Sequence, residues 1–392
     1  WFNGEERLFL KKIEKDGKVL FEEIPNIPRY GQRIEDVGKF KRLDLKPATN
    51  LKNVFKAMRN YLAGNVVGAT RDEVFAQQLI NLIFCKIYDE KFTKPDEMVT
   101  FRAGIEEGPK EVKSRILELF NKVKKNYNDV IDSSDEIILD EYSLTYIVGE
   151  LQQYSILESS RDAVSDAFEV FIGHALKGGQ GQFFTPRNVV KMVVEMVAPS
   201  HGQKIIDPAC GSGGFLVESL RYVWLKAEKE FEELGWPKHE IEIEKQKIAI
   251  KNIRGIDKDY FLSKVAKAYM ALLGDGRGGV FCENSLENPN HWSKKTRDEV
   301  KMEYFDIVLT NPPFGSKIPV KGDEILKQYD LGHSFKLDKK TDKYVKGKLQ
   351  QKETPQILFI ERCLQFLKPN GKLAIVLPDG ILGNDSLIYL RE

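Results

Sequence analysis

From Lys204 onward the chain alternates short β-branched runs with amphipathic helical stretches, and few architectures accept that rhythm. The runs are Lys204–Asp207, Ile253–Asp257, Gly279–Cys282, Phe305–Thr310 and Lys372–Leu377. Between them the apolar spacing predicts helices over Gly214–Leu234, Tyr260–Leu273 and Gln356–Leu367, the last with Thr354 at the N-cap and Pro355 at the first helical position. Strands separated by helices predict an α/β fold: a doubly wound, mostly parallel sheet with its ligand outside the carboxyl ends of the strands.

A chain of 392 residues has room for two or three domains at roughly 100–200 residues each. Ahead of the α/β part, Leu51 to Leu176 reads as helical. Thr70-x-x-Glu73 is a capping box before Val74, Phe75, Leu79, Leu82, Ile83 and Ile87, and Val112, Ile116, Leu119, Phe120 and Val123 repeat the helical spacing after Pro109. Further helices are expected over Leu144–Tyr154 and Asp162–Leu176. Lys177-Gly178-Gly179-Gln180-Gly181 is a Gly-rich linker. At the start, Leu8-Phe9-Leu10 and Val19-Leu20-Phe21 flank Asp16-Gly17, a hairpin signal, and Asn3-Gly4 would close an earlier hairpin. The expected domains are therefore residues 1–31, a β-hairpin that either ends an upstream domain or decorates the next one; residues 32–176, a helical domain; and residues 177–392, the α/β domain.

Charge limits the partners. Lys and Arg total 60 against 59 for Asp and Glu, so a nucleic acid cannot be held by bulk charge and would need a local basic surface or a helper subunit. Residues Lys317–Lys352 read as a long loop with ten lysines against five acids, and their position behind the strongest motif suits phosphate contact. The four cysteines are scattered without a CxxC pair, which fits reduced thiols and a cytoplasmic protein. No apolar run approaches the ~18 residues of a membrane span. The five histidines show no ligand spacing, so no catalytic metal is expected.

Three strings carry chemistry. In Ile205-Ile206-Asp207-Pro208-Ala209-Cys210-Gly211-Ser212-Gly213-Gly214-Phe215 an apolar strand ends in a carboxylate and turns through small residues into a helix. Such glycines let backbone approach a ligand closely, and the helix N-terminus offers free N–H groups to an anion. It is neither a P-loop, lacking Gly-Lys-Ser/Thr, nor a dinucleotide fingerprint, since the next strand-end acid, Asp257, lies 50 positions on. In Phe305–Thr310 followed by Asn311-Pro312-Pro313-Phe314, the prolines hold the chain extended. That leaves the Asn311 side-chain oxygen and the Pro312 carbonyl free to accept from one amino group, with Phe314 as a flat face for a ring. The third, Gly181-Gln182-Phe183-Phe184-Thr185-Pro186-Arg187, reads as a helix start with Thr185 as N-cap and Pro186 at the first helical position.

In this order the strings resemble the S-adenosylmethionine-dependent N6-adenine DNA methyltransferases, and more narrowly the modification (M) subunit of type I restriction–modification systems and its single-chain relatives. The resemblance spans about Leu51 to Glu392; Trp1–Gly31 resembles the end of a nuclease-related N-terminal domain found in some members. It implies a Rossmann-like methyltransferase domain that binds S-adenosyl-L-methionine. Gln182, Phe183, Phe184, Thr185, Pro186 and Arg187 would line the methionine end. Asp207, Pro208, Gly211, Ser212, Gly213 and Gly214 would hold its amino-acid moiety, Asp257 the ribose hydroxyls, and Asn284-Ser285-Leu286 the adenine edge. The family usually has Asp in place of Asn284, and an amide accepts less strongly than a carboxylate. The family's sheet also continues with two strands beyond Lys372–Leu377, so C-terminal strands are expected to be missing.

The resemblance implies catalysis by Asn311, Pro312, Pro313 and Phe314. An adenine amine is a poor nucleophile because its lone pair is delocalised; hydrogen bonds to Asn311 Oδ1 and Pro312 O would free that pair, so positioning rather than a strong base carries the reaction. The base must be flipped out of the duplex, with Phe314 stacking on it. Implied partners are double-stranded DNA, a specificity subunit or fused target-recognition region, and a restriction subunit or upstream nuclease domain, with no membrane. Two other readings stay open: an RNA or protein amine or amide methyltransferase of the same fold, and a non-catalytic cofactor-binding scaffold.

Overall fold

The computed structural model describes residues 9–15, 17–24, 37–65, 72–160, 163–164, 167, 185–274, 279–315 and 318–391. The chain divides into two compact units at residue 180. The expected Gly-rich linker, the domain boundary at 176, the Thr70 cap and most of the Asp162–Leu176 helix lie outside the described residues.

In the first unit, β1 (Phe9–Lys15) and β2 (Lys18–Ile24) pair antiparallel, with Lys15 opposite Lys18 and Gly17 at φ 71° in the turn between them. The hairpin expected around Asp16-Gly17 is thus present. Next come β3 (Lys46–Pro47) and the helices α1 (Leu51–Asn65), α2 (Asp72–Phe92), α3 (Pro109–Asn126) and α4 (Glu141–Leu151), then β4 (Tyr154–Ser155). Helix α3 buries Val112, Ile116, Leu119, Phe120 and Val123, the five positions its spacing marks. One expectation fails here. Helix α4 ends at Leu151, where the expected helix ran to Tyr154, and Tyr154–Ser155 pairs in parallel with β3. The cause is the buried Glu90 carboxylate, which accepts from Ser155 Oγ at 2.8 Å and from Ile156 N at 3.0 Å and so draws this segment out of the helix.

The second unit opens with α5 (Arg187–Val197), β5 (Ile205–Asp207), α6 (Gly214–Glu233), α7 (Lys238–Asn252), β6 (Ile253–Asp257), α8 (Tyr260–Gly274), β7 (Val280–Cys282) and α9 (Lys294–Glu299). It continues with β8 (Phe305–Thr310), β9 (Val320–Lys321), α10 (Asp323–Leu326), β10 (His333–Asp338), β11 (Lys343–Leu349), β12 (Lys352–Glu353), α11 (Pro355–Phe366), β13 (Leu367–Ile375), α12 (Asp379–Gly383) and α13 (Ile388–Arg391). Five strands form one sheet in the order β13-β8-β5-β6-β7, every neighbouring pair parallel. Helices α6 and α8 pack on β5, β6 and β7, while α11 packs on β8 and β13. Leu216 of α6 lies over Gly255, and the next residue of β6, Ile256, joins Ile206, Val308, Cys363 and Phe366 in the core beneath α11. Alternate residues of β6 therefore feed opposite faces, as a sheet covered on both sides requires. The unit is the doubly wound α/β fold.

Two expectations are corrected. Residues 318–353 are not a plain loop: β9 pairs with β12, and β10 pairs with β11 as an antiparallel hairpin. Alternating lysines hide its period of two. The last strand starts at Leu367 rather than Lys372, because four residues bulge between the Leu367–Phe305 and Lys372–Ile307 pairs, with Asn370 at φ 66°. Helix α7 has no counterpart among the sequence expectations. Its buried positions are Ile241, Lys245, Ile248 and Ala249, and the lysine interrupts the apolar spacing while its Nζ meets Glu228 at 3.1 Å and Glu242 at 2.8 Å.

Candidate active site

Strand order reverses between β5 and β8, since the chain runs from β5 outward to β7 and then returns to β8 on the other side. A crevice outside the carboxyl ends of two such strands is where open α/β sheets hold ligands. Here β5 delivers Asp207 and β8 delivers Asn311.

The turn after β5 is tightly fixed. Gly213 sits at φ 91°, and a Cβ on it would lie 3.2 Å from the Ala266 Cβ, so this position needs glycine both for conformation and for space. A Cβ on Gly211, at φ 54°, would meet nothing within 4 Å: that side of the turn is open. Backbone bonds pin the turn to β6, with Cys210 N donating to Ile256 O at 2.9 Å and Gly211 N donating to Asp257 Oδ2 at 2.8 Å. Pro208 and Ser212 are buried and Gly214 begins α6.

Two carboxylates stand at the ends of adjacent strands. Asp207 is 2 % exposed, and burial pushes its carboxyl up to about 7, the nearby Asp257 charge adding to the effect. Its Oδ1 accepts from Ala209 N at 3.1 Å. Asp257 is also raised by burial, although backbone N–H groups of Asp259 and Gly211 oppose the shift. Both Asp257 oxygens thus accept backbone donors within the site's own framework.

The segment after β7 is held from several sides. Asn284 Oδ1 accepts from Leu286 N at 3.1 Å, and Ser285 Oγ donates to Pro208 O at 2.5 Å, tying this segment to the turn after β5. Leu286 is buried, and its carbonyl accepts from Tyr329 Oη at 2.8 Å; the buried Arg362 donates from Nε to the same Tyr329 oxygen at 2.8 Å. No local pattern marks Tyr329 or Arg362 as supports, because they lie 43 residues or more from Leu286 in sequence.

At the end of β8, Asn311 Nδ2 donates to Thr185 Oγ1 at 2.8 Å. Asn311 Oδ1 is buried with no hydrogen-bond partner among the described residues. A buried orphan acceptor is costly unless a donor arrives, so this oxygen has the capacity to take an incoming N–H. The following string is anchored by Gly315 N donating to Gln356 Oε1 of α11 at 3.3 Å, a support the sequence does not signal. Pro312 is buried, Pro313 exposed and Phe314 half-buried.

The helix start before this site differs from expectation. Pro186, at φ −55° and ψ 137°, is the N-cap, and α5 begins at Arg187. Thr185 therefore stands one residue before the cap, and its hydroxyl accepts from Asn311 Nδ2 instead of a helix N–H. Thr185 and Asn311 are thus joined directly; Arg187 is exposed at the start of α5. Gln182, Phe183 and Phe184 lie outside the described residues.

Known proteins resemble this chain. The Type I restriction enzyme StySPI methylase subunit of Salmonella potsdam is 24 % identical over 330 residues, covering 80 % of this chain and 56 % of the relative. The Type I restriction enzyme EcoKI methylase subunit of Escherichia coli K12 is 26 % identical over 226 residues, covering 57 % of this chain and 36 % of the relative. The chain thus spans only about half, or less, of the length of these curated relatives. The crystal structure of a type I restriction-modification system methyltransferase subunit from Streptococcus thermophilus matches with a TM-score of 0.55 at 15 % identity, over 87 % of this chain and 77 % of that one, which bears on the fold. A family model described as N-6 DNA Methylase matches residues 159–386, more than half of the chain and every element around the crevice, and the chain belongs to that family.

Proposed function

We propose that this chain is the methyl-transferring part of a site-specific DNA adenine-N6 methyltransferase, the modification subunit of a type I restriction–modification system or a close single-chain relative. The observation that carries the reading is Asn311: its amide is held by Thr185 at 2.8 Å while Oδ1 is buried and open to a donor. That is the acceptor an adenine amine needs, and the family and the curated relatives point to the same substrate.

The residues fit S-adenosyl-L-methionine. Asp207 with Pro208, Gly211, Ser212, Gly213 and Gly214 would hold its amino-acid end, where Gly211 leaves open space. Gln182, Phe183, Phe184, Thr185, Pro186 and Arg187 would line the methionine side, Asp257 the ribose and Asn284, Ser285 and Leu286 the adenine. When bound, this cofactor supplies an electrophilic methyl on a good leaving group.

The chain's own residues act on the amine. Asn311 Oδ1 and the Pro312 carbonyl accept hydrogen bonds from the two N6–H groups and bring the nitrogen toward tetrahedral geometry, which exposes its lone pair; the surplus proton on the methylated nitrogen is then released to solvent. Pro312 and Pro313 keep that carbonyl from turning into a helix or ladder. Phe314 stacks on the flipped base and replaces the neighbouring bases that it leaves behind in the duplex. Because Asn311 is already fixed, little reorganisation is needed when the base arrives. Double-stranded DNA, a specificity subunit or fused target-recognition region, and a restriction subunit or nuclease domain are the partners of this reading, in the cytoplasm. No described helix is long and apolar enough to cross a membrane.

Incubation with methyl-labelled S-adenosyl-L-methionine and unmethylated duplex DNA, with a specificity subunit supplied, tests the proposal. Label recovered in N6-methyladenine is the expected product. Label recovered in RNA or in protein amides moves the substrate to another amine, and cofactor binding without transfer to any of them leaves a scaffold.

A further inference from the structure

We propose that the β10–β11 hairpin is a phosphate-contacting arm that grips the backbone of double-stranded DNA beside the active site; this rests on the DNA reading above. The hairpin is a strongly basic folded element in a near-neutral chain, its surplus equalled by helix α3 of the first unit. Between His333 and Leu349 six lysines face two aspartates, a local surplus of four charges where the whole chain has a balance of +1. The rest of the chain is therefore net acidic, and attraction to a polyanion has to be local.

Its two faces are unlike. The register sets Phe335 opposite Lys346 and Leu337 opposite Tyr344 on one face, with Lys336 opposite Val345 and Asp338 opposite Lys343 on the other. On the first face the two rings are packed and Leu337 is exposed: Phe335 stacks on Tyr389 with ring centroids 5.0 Å apart, and Tyr344 lies 6.2 Å from the same ring. The second face carries Lys336 and Lys343, and the turn adds Lys339 and Lys340; all four are exposed and none has an ion-pair partner among the described residues. Lys346, by contrast, is paired with Asp330 at 2.6 Å. The Asp338 carboxylate is folded into the turn, accepting from Lys340 N at 2.9 Å and Thr341 Oγ1 at 3.0 Å.

Position supports the role. The insert leaves the sheet at the carboxyl end of β8, directly after Asn311–Phe314, and its ends are closed by the β9–β12 pair. Its base is packed: Leu326 and Tyr329 share a core with Leu286, Leu358 and Phe359. Four free ammonium groups therefore project from an anchored ribbon on the side of the sheet where a flipped base has to enter. Charge complementarity selects the phosphate backbone as their partner, and contacts of this kind set register without reading sequence.

Binding of the chain to a short random-sequence duplex, followed by fluorescence anisotropy between about 50 and 200 mM salt, is the test. The variant K336Q/K339Q/K340Q/K343Q is compared with wild type and with a control, K226Q/K238Q/K251Q, on exposed helix positions. Each phosphate contact removed flattens the log–log salt slope by about 0.9, so the hairpin variant is expected to lose about 3 to 4 in slope while the control keeps its slope. S-adenosyl-L-methionine binding and circular dichroism, expected unchanged in both variants, report folding. An unchanged slope in a folded hairpin variant overturns the arm and leaves the methyltransferase reading standing. Absence of duplex binding by the wild type, or binding of single-stranded RNA instead, also overturns it, and the labelling experiment then decides whether the DNA reading falls too.

Discussion

The Thr185 hydroxyl accepts a hydrogen bond from Asn311 Nδ2 at 2.8 Å, across 126 residues of sequence, and this bond decides which end of the Asn311 amide stays open. With Nδ2 engaged, Oδ1 is left as the buried acceptor. Thr185 therefore positions Asn311, a task that a helix cap does not perform.

Thr185→Val should separate positioning from cofactor binding. Losing the bond and leaving a buried N–H unpaired costs about 1–3 kcal/mol, or about 5- to 150-fold in kcat if it falls wholly on the transition state. Steady-state kinetics with DNA should show this loss in kcat with a small change in KM for S-adenosyl-L-methionine, and Thr185→Ser should restore most of it. An unchanged kcat in the Val variant removes Thr185 from the mechanism.

Asp207 gives the chain a pH dependence of known sign. Its carboxyl is raised by burial to about 7, so the folded chain holds a proton that the unfolded chain has released. The stabilisation is full below about pH 4, the ordinary range of the group, and is lost as pH rises through about 7. Urea unfolding should therefore show wild-type stability falling over that window, with a flatter profile in Asp207→Asn. Cofactor affinity should rise over the same window in wild type, because the ionised form is the one that attracts an ammonium group, and it should do so less in the variant.

Gly255→Ala tests the packing beneath the turn. A Cβ at this position would fall 2.5 Å from Leu216 Cδ1 and 3.1 Å from Cys210 Sγ, both on buried residues. Overpacking of this kind costs about 1–3 kcal/mol, measurable as a lower urea midpoint. Adding Leu216→Ala should make the pair less destabilised than the sum of the two single variants, since the methyl then fills part of the space.

Tyr329→Phe tests the support of the segment after β7. The phenol oxygen joins Arg362 Nε to Leu286 O, with both bonds at 2.8 Å. Removing it leaves two buried groups unpaired and should cost about 1–3 kcal/mol. Thermal unfolding reads that loss, and a weaker S-adenosyl-L-methionine affinity in calorimetry would follow from loosening of Asn284–Leu286.

Much of this arrangement is legible in the sequence. The strands at Ile253–Asp257 and Phe305–Thr310 can be read there with their final bounds, because short apolar runs between turns need no tertiary information. The five buried positions of α3 follow from helical spacing alone. What escapes is set at a distance or disguised by charge. Thr185 carries a strong local cap signal, and only the tertiary contact with Asn311 diverts its hydroxyl. The β10–β11 hairpin reads as loop because lysines occupy its solvent-facing positions, and its packed face is completed by Tyr389, 54 residues beyond Phe335. In α7 a buried lysine stands in the apolar stripe, held by Glu242 of the same helix and by Glu228 of α6. Side chains that answer to distant partners leave little trace in local spacing.

The most direct test of the central claim is nucleoside mass spectrometry on DNA from a methylation-free host that expresses this chain, wild type or Asn311→Ala, together with a specificity subunit. The account predicts N6-methyladenine with wild type and none with the variant, while both proteins bind S-adenosyl-L-methionine. N6-methyladenine persisting in the Asn311→Ala strain, or absent from both strains with cofactor binding intact, would contradict it.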